Sequence, residues 1–139
     1  MRRIDLIVIH CSATRCNCNF PVTALIRCHA ERFGFTGYHY YITRNGQTYQ
    51  TRHEQLIGAH AVGYNHHSLG VCYEGGLNEL GKPADTRTPK QKSALLKLLR
   101  RLKTEHPNAS ILGHRDLPDV HKDCPCFDAI AEYGNIIEH

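Results

Sequence analysis

The sequence predicts a single mixed α/β domain (α+β in detail), a central, mostly β-sheet flanked by helices. Three observations carry this. Short apolar, β-branched or aromatic runs recur at 4–10, 38–43, 68–73 and 110–112. Helical periodicity occupies the stretches between them. No repeat, linker or low-complexity stretch divides the 139 residues, so one domain spans 1–139, a length that suits one core.

The elements follow in order. Ile4-Asp5-Leu6-Ile7-Val8-Ile9-His10 reads as a strand buried on both faces with His10 at its end. Residues 11–20 are polar and Cys-rich, hence a loop. From Val22 to Arg32, Leu25, Cys28 and His29 fall at i, i+3, i+4, and Gly34 is the stop signal. Tyr38 to Thr43 is a second strand, Asn45-Gly46 predicts a type I′ turn, and Gln47 to Thr51 returns. Residues 52–67 form a long His- and Gly-rich loop, and loops of that length are usually functional. Ser68 to Tyr73 is a strand closed by Gly75-Gly76, and 77–87 is a polar connection. Thr88-Pro89 then starts a helix, with Thr88 and Gln91 forming a capping box and Ala94, Leu95, Leu98, Leu99 and Leu102 its apolar stripe. Pro107-Asn108 ends it, Ser110 to Leu112 is a short strand, and Phe127 to Tyr133 a last short helix.

Composition narrows the function. Hydrophobic residues make up 41 %, as in a globular protein, and 17 basic against 13 acidic residues leave a net charge of +4. With no Trp and no basic run of five, a nucleic-acid partner is not expected, whereas a mildly basic chain suits an anionic surface such as a bacterial wall. The opening Met1-Arg2-Arg3 is followed by too short and too polar a run for a signal peptide, and no stretch of ~18 apolar residues would span a membrane. The expectation is synthesis in the cytoplasm without a signal peptide, and access to any outside substrate only after release or export by another route. Seven cysteines, an odd number, in a reducing compartment favour metal or thiol roles over disulfides.

Three places put a metal ligand at a strand end or in the loop after one: His10, His114 and the Cys124/Cys126 pair. Imidazole and thiolate are good zinc donors, and a catalytic zinc needs three protein ligands and one open position. Such a site lowers the pKa of a bound water to about 7 and polarises a carbonyl.

At these residues the sequence resembles the type-2 N-acetylmuramoyl-L-alanine amidases, the family of the amidase-type phage lysozymes, whose fold the peptidoglycan recognition proteins share. Val8-Ile9-His10-Cys11-Ser12-Ala13-Thr14 resembles the family's first metal-ligand motif, and Gly37-Tyr38-His39-Tyr40 its catalytic tyrosine strand. Ala59-His60-Ala61-Val62-Gly63-Tyr64-Asn65 and Ser68-Leu69-Gly70-Val71-Cys72 resemble its substrate loop and the strand after it. Gly113-His114-Arg115-Asp116 and Lys122-Asp123-Cys124-Pro125 resemble the segments bearing the last two ligands.

The resemblance runs from about residue 5 to 128 and implies specific roles. His10, His114 and Cys124 would hold one Zn2+ per chain at one end of the sheet, Cys124 rather than Cys126 because it occupies the Lys-x-Cys-Pro position. Tyr38 would act as general base or orient the attacking zinc-bound water, and Lys122 would stabilise the oxyanion. His60, and with less support Asn65 and His66, would contact substrate. The reaction implied is hydrolysis of the amide between N-acetylmuramic acid and L-alanine in peptidoglycan, a cell-wall-degrading, endolysin-like role. His39 reads as a core residue on the face opposite Tyr38, and His29, His53, His67, His106 and His139 as surface groups.

Two departures stand out. Cys16-x-Cys18 matches no family motif; with Cys28 and Cys126 it is compatible with a disulfide, a second metal or free thiols. Asp119-Val120-His121 lengthens the loop before Lys122. The competing readings are a peptidoglycan sensor without turnover, a zinc-stabilised nucleic-acid binder and a regulatory protein-binding role. Filled catalytic positions argue against the first, and the lack of paired ligand knuckles against the second. Nothing resembles a coiled-coil seam, so a monomer is expected.

Overall fold

The computed structural model describes residues 2–136. His139 lies outside them.

Five strands form one sheet in the order β4-β3-β5-β1-β7. They are β1 (Leu6–Cys11), β3 (Tyr40–Ile42), β4 (Thr48–Gln50), β5 (Ser68–Tyr73) and β7 (Ser110–Gly113). All pairings are parallel except the β3–β4 hairpin. β1 is an inner strand between β5 and β7, and Ile7, Val8 and Ile9 have no exposed surface, as the continuous apolar run predicts. Two further short strands, β2 (Thr14–Arg15) and β6 (Gly76–Leu77), pair in parallel. Their segments read from sequence as loop and connection; two residues are too few to show a period of two.

The alternation of side chains assigns the faces. Ile7, Ile9, Cys11, Leu69, Val71 and Tyr73 pack with Leu95, Leu98, Leu99 and Leu102 of α2 (Pro89–Glu105). Each such leucine, fully buried, contributes roughly 1.5–3 kcal/mol. The capping box forms as expected: Gln91 N donates to Thr88 Oγ1 (3.1 Å) and Thr88 N to Gln91 Oε1 (3.0 Å). The α3 helix (Ala129–Tyr133) closes the same face. On the opposite face lie Val8, His10, Tyr41 and Cys72, covered by α1 (Val22–Phe33) through Leu25 and by the loop 52–67 through Ala61.

Three expectations are corrected. The hairpin is not type I′: Gly46 takes φ +83°, whereas Asn45 is not among the positive-φ residues. Gly46 N donates to Thr43 O (2.8 Å) and Thr43 N to Gln47 O (3.0 Å), a type I turn with a glycine bulge. Second, β3 begins at Tyr40, so strand alternation does not separate Tyr38 from His39. The His39 ring lies on the His10 side, 5.9 Å from the His60 ring. Third, His29 and His106 are not free surface groups. His29 is buried one turn after Leu25 and accepts a bond from Gly37 N (2.8 Å). His106 pairs with Glu54 at 2.9 Å.

Candidate metal centre and active site

The site is built where β1 and β7 end. The register sets His10 beside Cys72 of β5, and Cys72 beside Tyr41 of β3. Gly113 lies beside Ile9, so the next residue, His114, enters the same end of the sheet. Cys124 arrives from the loop that follows. Arg115 N donates to Cys124 O (2.8 Å), and Cys11 N donates to Cys124 Sγ (3.1 Å). Tyr73 Oη donates to Pro125 O (2.6 Å). Gly113 is required here: a Cβ at that position would stand 2.6 Å from Pro125 Cδ. The glycine of Gly-His-Arg-Asp and the proline of Cys-Pro are therefore two sides of one contact.

The ligand atoms of His10, His114 and Cys124 all lie within 4.8 Å of one another. Among the described residues this is the one such His/Cys/Asp/Glu group. His10 Nδ1 is 3.9 Å from Cys124 Sγ, and the His10 and His114 ring centroids are 4.6 Å apart. Burial, then the neighbouring His60, His114 and Lys122 charges, push His10 well below the usual histidine range. Burial and Lys122 lower His114. Both rings are neutral near pH 7, the state that offers a lone pair to a metal. Two imidazoles and a thiol without a carboxylate fit zinc or another borderline-soft divalent ion, not calcium or magnesium.

A second layer orients His10. Its Nε2 faces His60 Nδ1 at 2.9 Å, and His60 Nε2 faces Ser68 Oγ at 3.2 Å. With Nδ1 of His10 free for a metal, one tautomer set satisfies the chain: His10 Nε2–H donates to His60, and His60 Nε2–H donates to Ser68. Burial, then His39 and His114, bring His60 down to about 3, so it stays neutral. The His60 ring sits against Gly70, where a Cβ would stand 2.7 Å from its Cγ.

The profile of the N-acetylmuramoyl-L-alanine amidase family matches residues 1–127. The chain belongs to that family. It is similar to the endolysin of Enterobacteria phage K11, 39% identical over 121 residues, which cover 86% of this chain and 79% of the relative. It is also similar to the endolysin of Escherichia phage T7, 38% identical over 125 residues, 89% of this chain and 82% of that one. The solved N-acetylmuramoyl-L-alanine amidase LysC from Clostridium intestinale URNW superposes with a TM-score of 0.77 at 28% identity, covering 94% of this chain and 82% of that one. The chain is thus an enzyme of the amidase class with the fold that the resemblance implied.

Within this amidase the expected site residues divide. Tyr38 is half-buried, its ring 5.0 Å from the rings of both His10 and His29. Burial, then the nearby thiols, push its phenol well above the usual range, so it is a neutral hydroxyl. Lys122 is exposed on the loop, and its charge reaches both His10 and His114. His60 faces inward against His10. Asn65 Oδ1 accepts from His60 N and Ala61 N, both at 2.9 Å, which fixes the loop that carries His60. His66 is exposed and packs edge-on against His67 at 4.5 Å. Sequence reasoning did not identify Ser68, Tyr73, Gly70 or Gly113 as parts of the site. A glycine inside a strand run, as at Gly70, signals close approach of another group and was the one readable hint.

Among the described residues no helix is long and apolar enough to cross a membrane. All seven cysteines are free thiols: Cys18 and Cys28 exposed, Cys16 half-buried.

Proposed function

We propose that this amidase hydrolyses the bond between N-acetylmuramic acid and L-alanine of peptidoglycan with one zinc ion held by His10, His114 and Cys124. The observation that carries the reading is the convergence of those three donors beside Tyr38 and Lys122. When bound, zinc supplies polarisation of the scissile carbonyl and a water of lowered pKa.

The residues supply the rest. His10 and His114 bind as neutral imidazoles and Cys124 as thiolate. Tyr38, a neutral phenol, orients the attacking water or hands a proton onward; its raised pKa disfavours a phenolate base. The Lys122 ammonium faces the negative charge that builds on the carbonyl oxygen. The leaving amine takes its proton from Tyr38 or Lys122. His60 holds the His10 ring in its tautomer and angle, and Asn65 holds His60, so both affect substrate turnover through the metal ligand. His66, exposed at the loop rim, is free to meet the wall. We place the action in the cell wall, reached by release or export, and the working form as a monomer.

The test is purified protein on intact peptidoglycan, with and without a chelator, with mass spectrometry of the products. Chelator-sensitive release of stem peptides bearing a free L-alanine amine is expected. No release from protein that holds one zinc per chain would overturn the hydrolytic reading.

A further inference from the structure

The metal site uses one of three thiols gathered at the end of β1. The other two face each other: Cys11 Sγ is 3.9 Å from Cys126 Sγ. Cys11 is buried on the α2 face of β1, and Cys126 packs at the edge of the same cluster. Gly76 makes room for the Cys11 sulfur and borders that of Cys126. A Cβ there would stand 2.5 Å from Cys11 Sγ and 3.7 Å from Cys126 Sγ. No residue of the proposed reaction needs this pair.

The pair sits at a meaningful place. Cys11 follows one proposed ligand directly, and Cys126 lies two residues after another. A bond between them would join the β1 end to the turn that carries Cys124. At present that turn is held by three hydrogen bonds, from Cys11 N to Cys124 Sγ, from Arg115 N to Cys124 O and from Tyr73 Oη to Pro125 O, and by the close Gly113–Pro125 contact; only the first reaches β1. A disulfide needs its sulfurs at about 2.05 Å, so they must approach by roughly 2 Å. Cys126 lies in an irregular loop rather than in the sheet, so the movement falls to it and not to β1.

We propose that Cys11 and Cys126 form a disulfide when the protein meets a thiol-oxidising environment, and that this bond staples the Cys124 turn to β1. The chemistry balances with a low-molecular-weight disulfide such as oxidised glutathione. Cys126, the more accessible thiol, attacks it to give a mixed disulfide and one released thiol. The Cys11 thiolate then attacks the Cys126 sulfur and expels the second. Two protein thiols lose two electrons and two protons, and one glutathione disulfide becomes two glutathiones. The inference depends on the metal-site reading only for its consequence, not for the bond itself.

The experiment takes the whole chain, reduced and zinc-loaded, through a day with oxidised glutathione. The thiols are then alkylated and the peptides mapped without reduction. A Cys11–Cys126 cross-link is expected as the main product, absent from a Cys126→Ser variant. The stapled protein should release zinc to a colorimetric chelator several-fold more slowly than the reduced form. Its metal-free form should melt several degrees higher. Cross-links through Cys124, or mixed disulfides alone, would overturn the pairing. A Cys11–Cys126 bond with unchanged zinc release and unchanged metal-free melting would overturn the stapling. A cross-linked, higher-melting protein that never bound zinc would support the staple and refute the metal site, so the two failures are separable.

Discussion

His10 and Cys124 offer the same centre one donor each, but the fold delivers them by opposite means. His10 is the penultimate residue of β1, a strand with partners on both sides, and is preceded by three residues without exposed surface. Its position follows from the sheet. Cys124 lies in an irregular loop in which Asp119 and Cys126 adopt φ of +65° and +70°, a conformation uncommon for non-glycine residues. A few polar contacts and the Gly113–Pro125 approach hold it. The lesson is an asymmetry of support: the sheet fixes His10, whereas a few polar contacts and one close approach position Cys124.

The largest expected effects test that asymmetry directly. Cys124→Ser removes a donor from the loop and should abolish stoichiometric zinc. Turnover should fall by more than the ~10–100-fold typical of losing only an outer partner. Circular dichroism should be unchanged, because the sheet does not depend on Cys124. His10→Ala should lose zinc equally but also lower the melting temperature of the metal-free protein, since it empties a fully buried position. Zinc analysis and melting curves on both variants check this. Equal metal-free melting would sink the asymmetry. Full zinc occupancy in Cys124→Ser would remove Cys124 from the site.

Tyr38→Phe and Lys122→Ala should leave zinc content at one per chain and lower turnover by about 10²–10⁴-fold, the range for losing one proton-transfer or charge-stabilising group. Wild-type turnover in either would take that residue out of the mechanism. His60→Ala attacks the strand-borne half from behind. It leaves His10 Nε2 without its acceptor, so zinc affinity should weaken roughly 10–100-fold. A competition titration against a chromophoric chelator reads this. An unchanged constant would mean that packing alone orients His10.

Gly113→Ala strikes the seam between the two halves. The added methyl meets Pro125 at 2.6 Å, and overpacking of this kind destabilises by about 1–3 kcal/mol. Denaturant unfolding and zinc affinity should shift together, because the displaced proline follows Cys124. A loss of stability with unchanged zinc affinity would show that the loop yields without moving its ligand.

The same asymmetry explains what was legible in the sequence. The apolar run ending at His10, the capping box at Thr88 and the leucine stripe of α2 are periodic and local, and all formed as read. Resemblance, not spacing, singled out Cys124 over Cys126, because nothing periodic governs a loop. His60 is the instructive case. Its motif suggests a substrate contact, and the motif does not display its partners His10, Ser68 and, through its backbone, Asn65. Those bonds span 50, 8 and 5 residues, and the longest of them depends on strand register that the sequence does not display. His29 differs in kind: its i+4 spacing from Leu25 puts it on the apolar side of the helix, and reading it as a surface group weighed its polarity over that spacing.

The far end of the Cys124 loop has its own anchor, and its pH dependence gives the smallest effect. The Arg87 guanidinium is almost wholly buried, 3.4 Å above the Phe127 ring, between Asp85 (2.9 Å) and Glu132 (2.7 Å). Burial pushes Asp85 up, but Arg87 outweighs it and holds the carboxyl below its ordinary range. Arg87 likewise lowers Glu132. Carboxylates lowered on folding add stability that is present above their unfolded pKa of about 4 and is lost as pH falls through the lower folded value. Both acids are partly solvated, so the contribution is modest. Arg87→Met should therefore melt below wild type at pH 7, with the gap narrowing below about pH 4 as the anchor of the wild type itself fails. Melting curves across pH 3–7 decide it. A gap that stays constant would mean that Arg87 holds the loop's end by packing on Phe127 and not by charge.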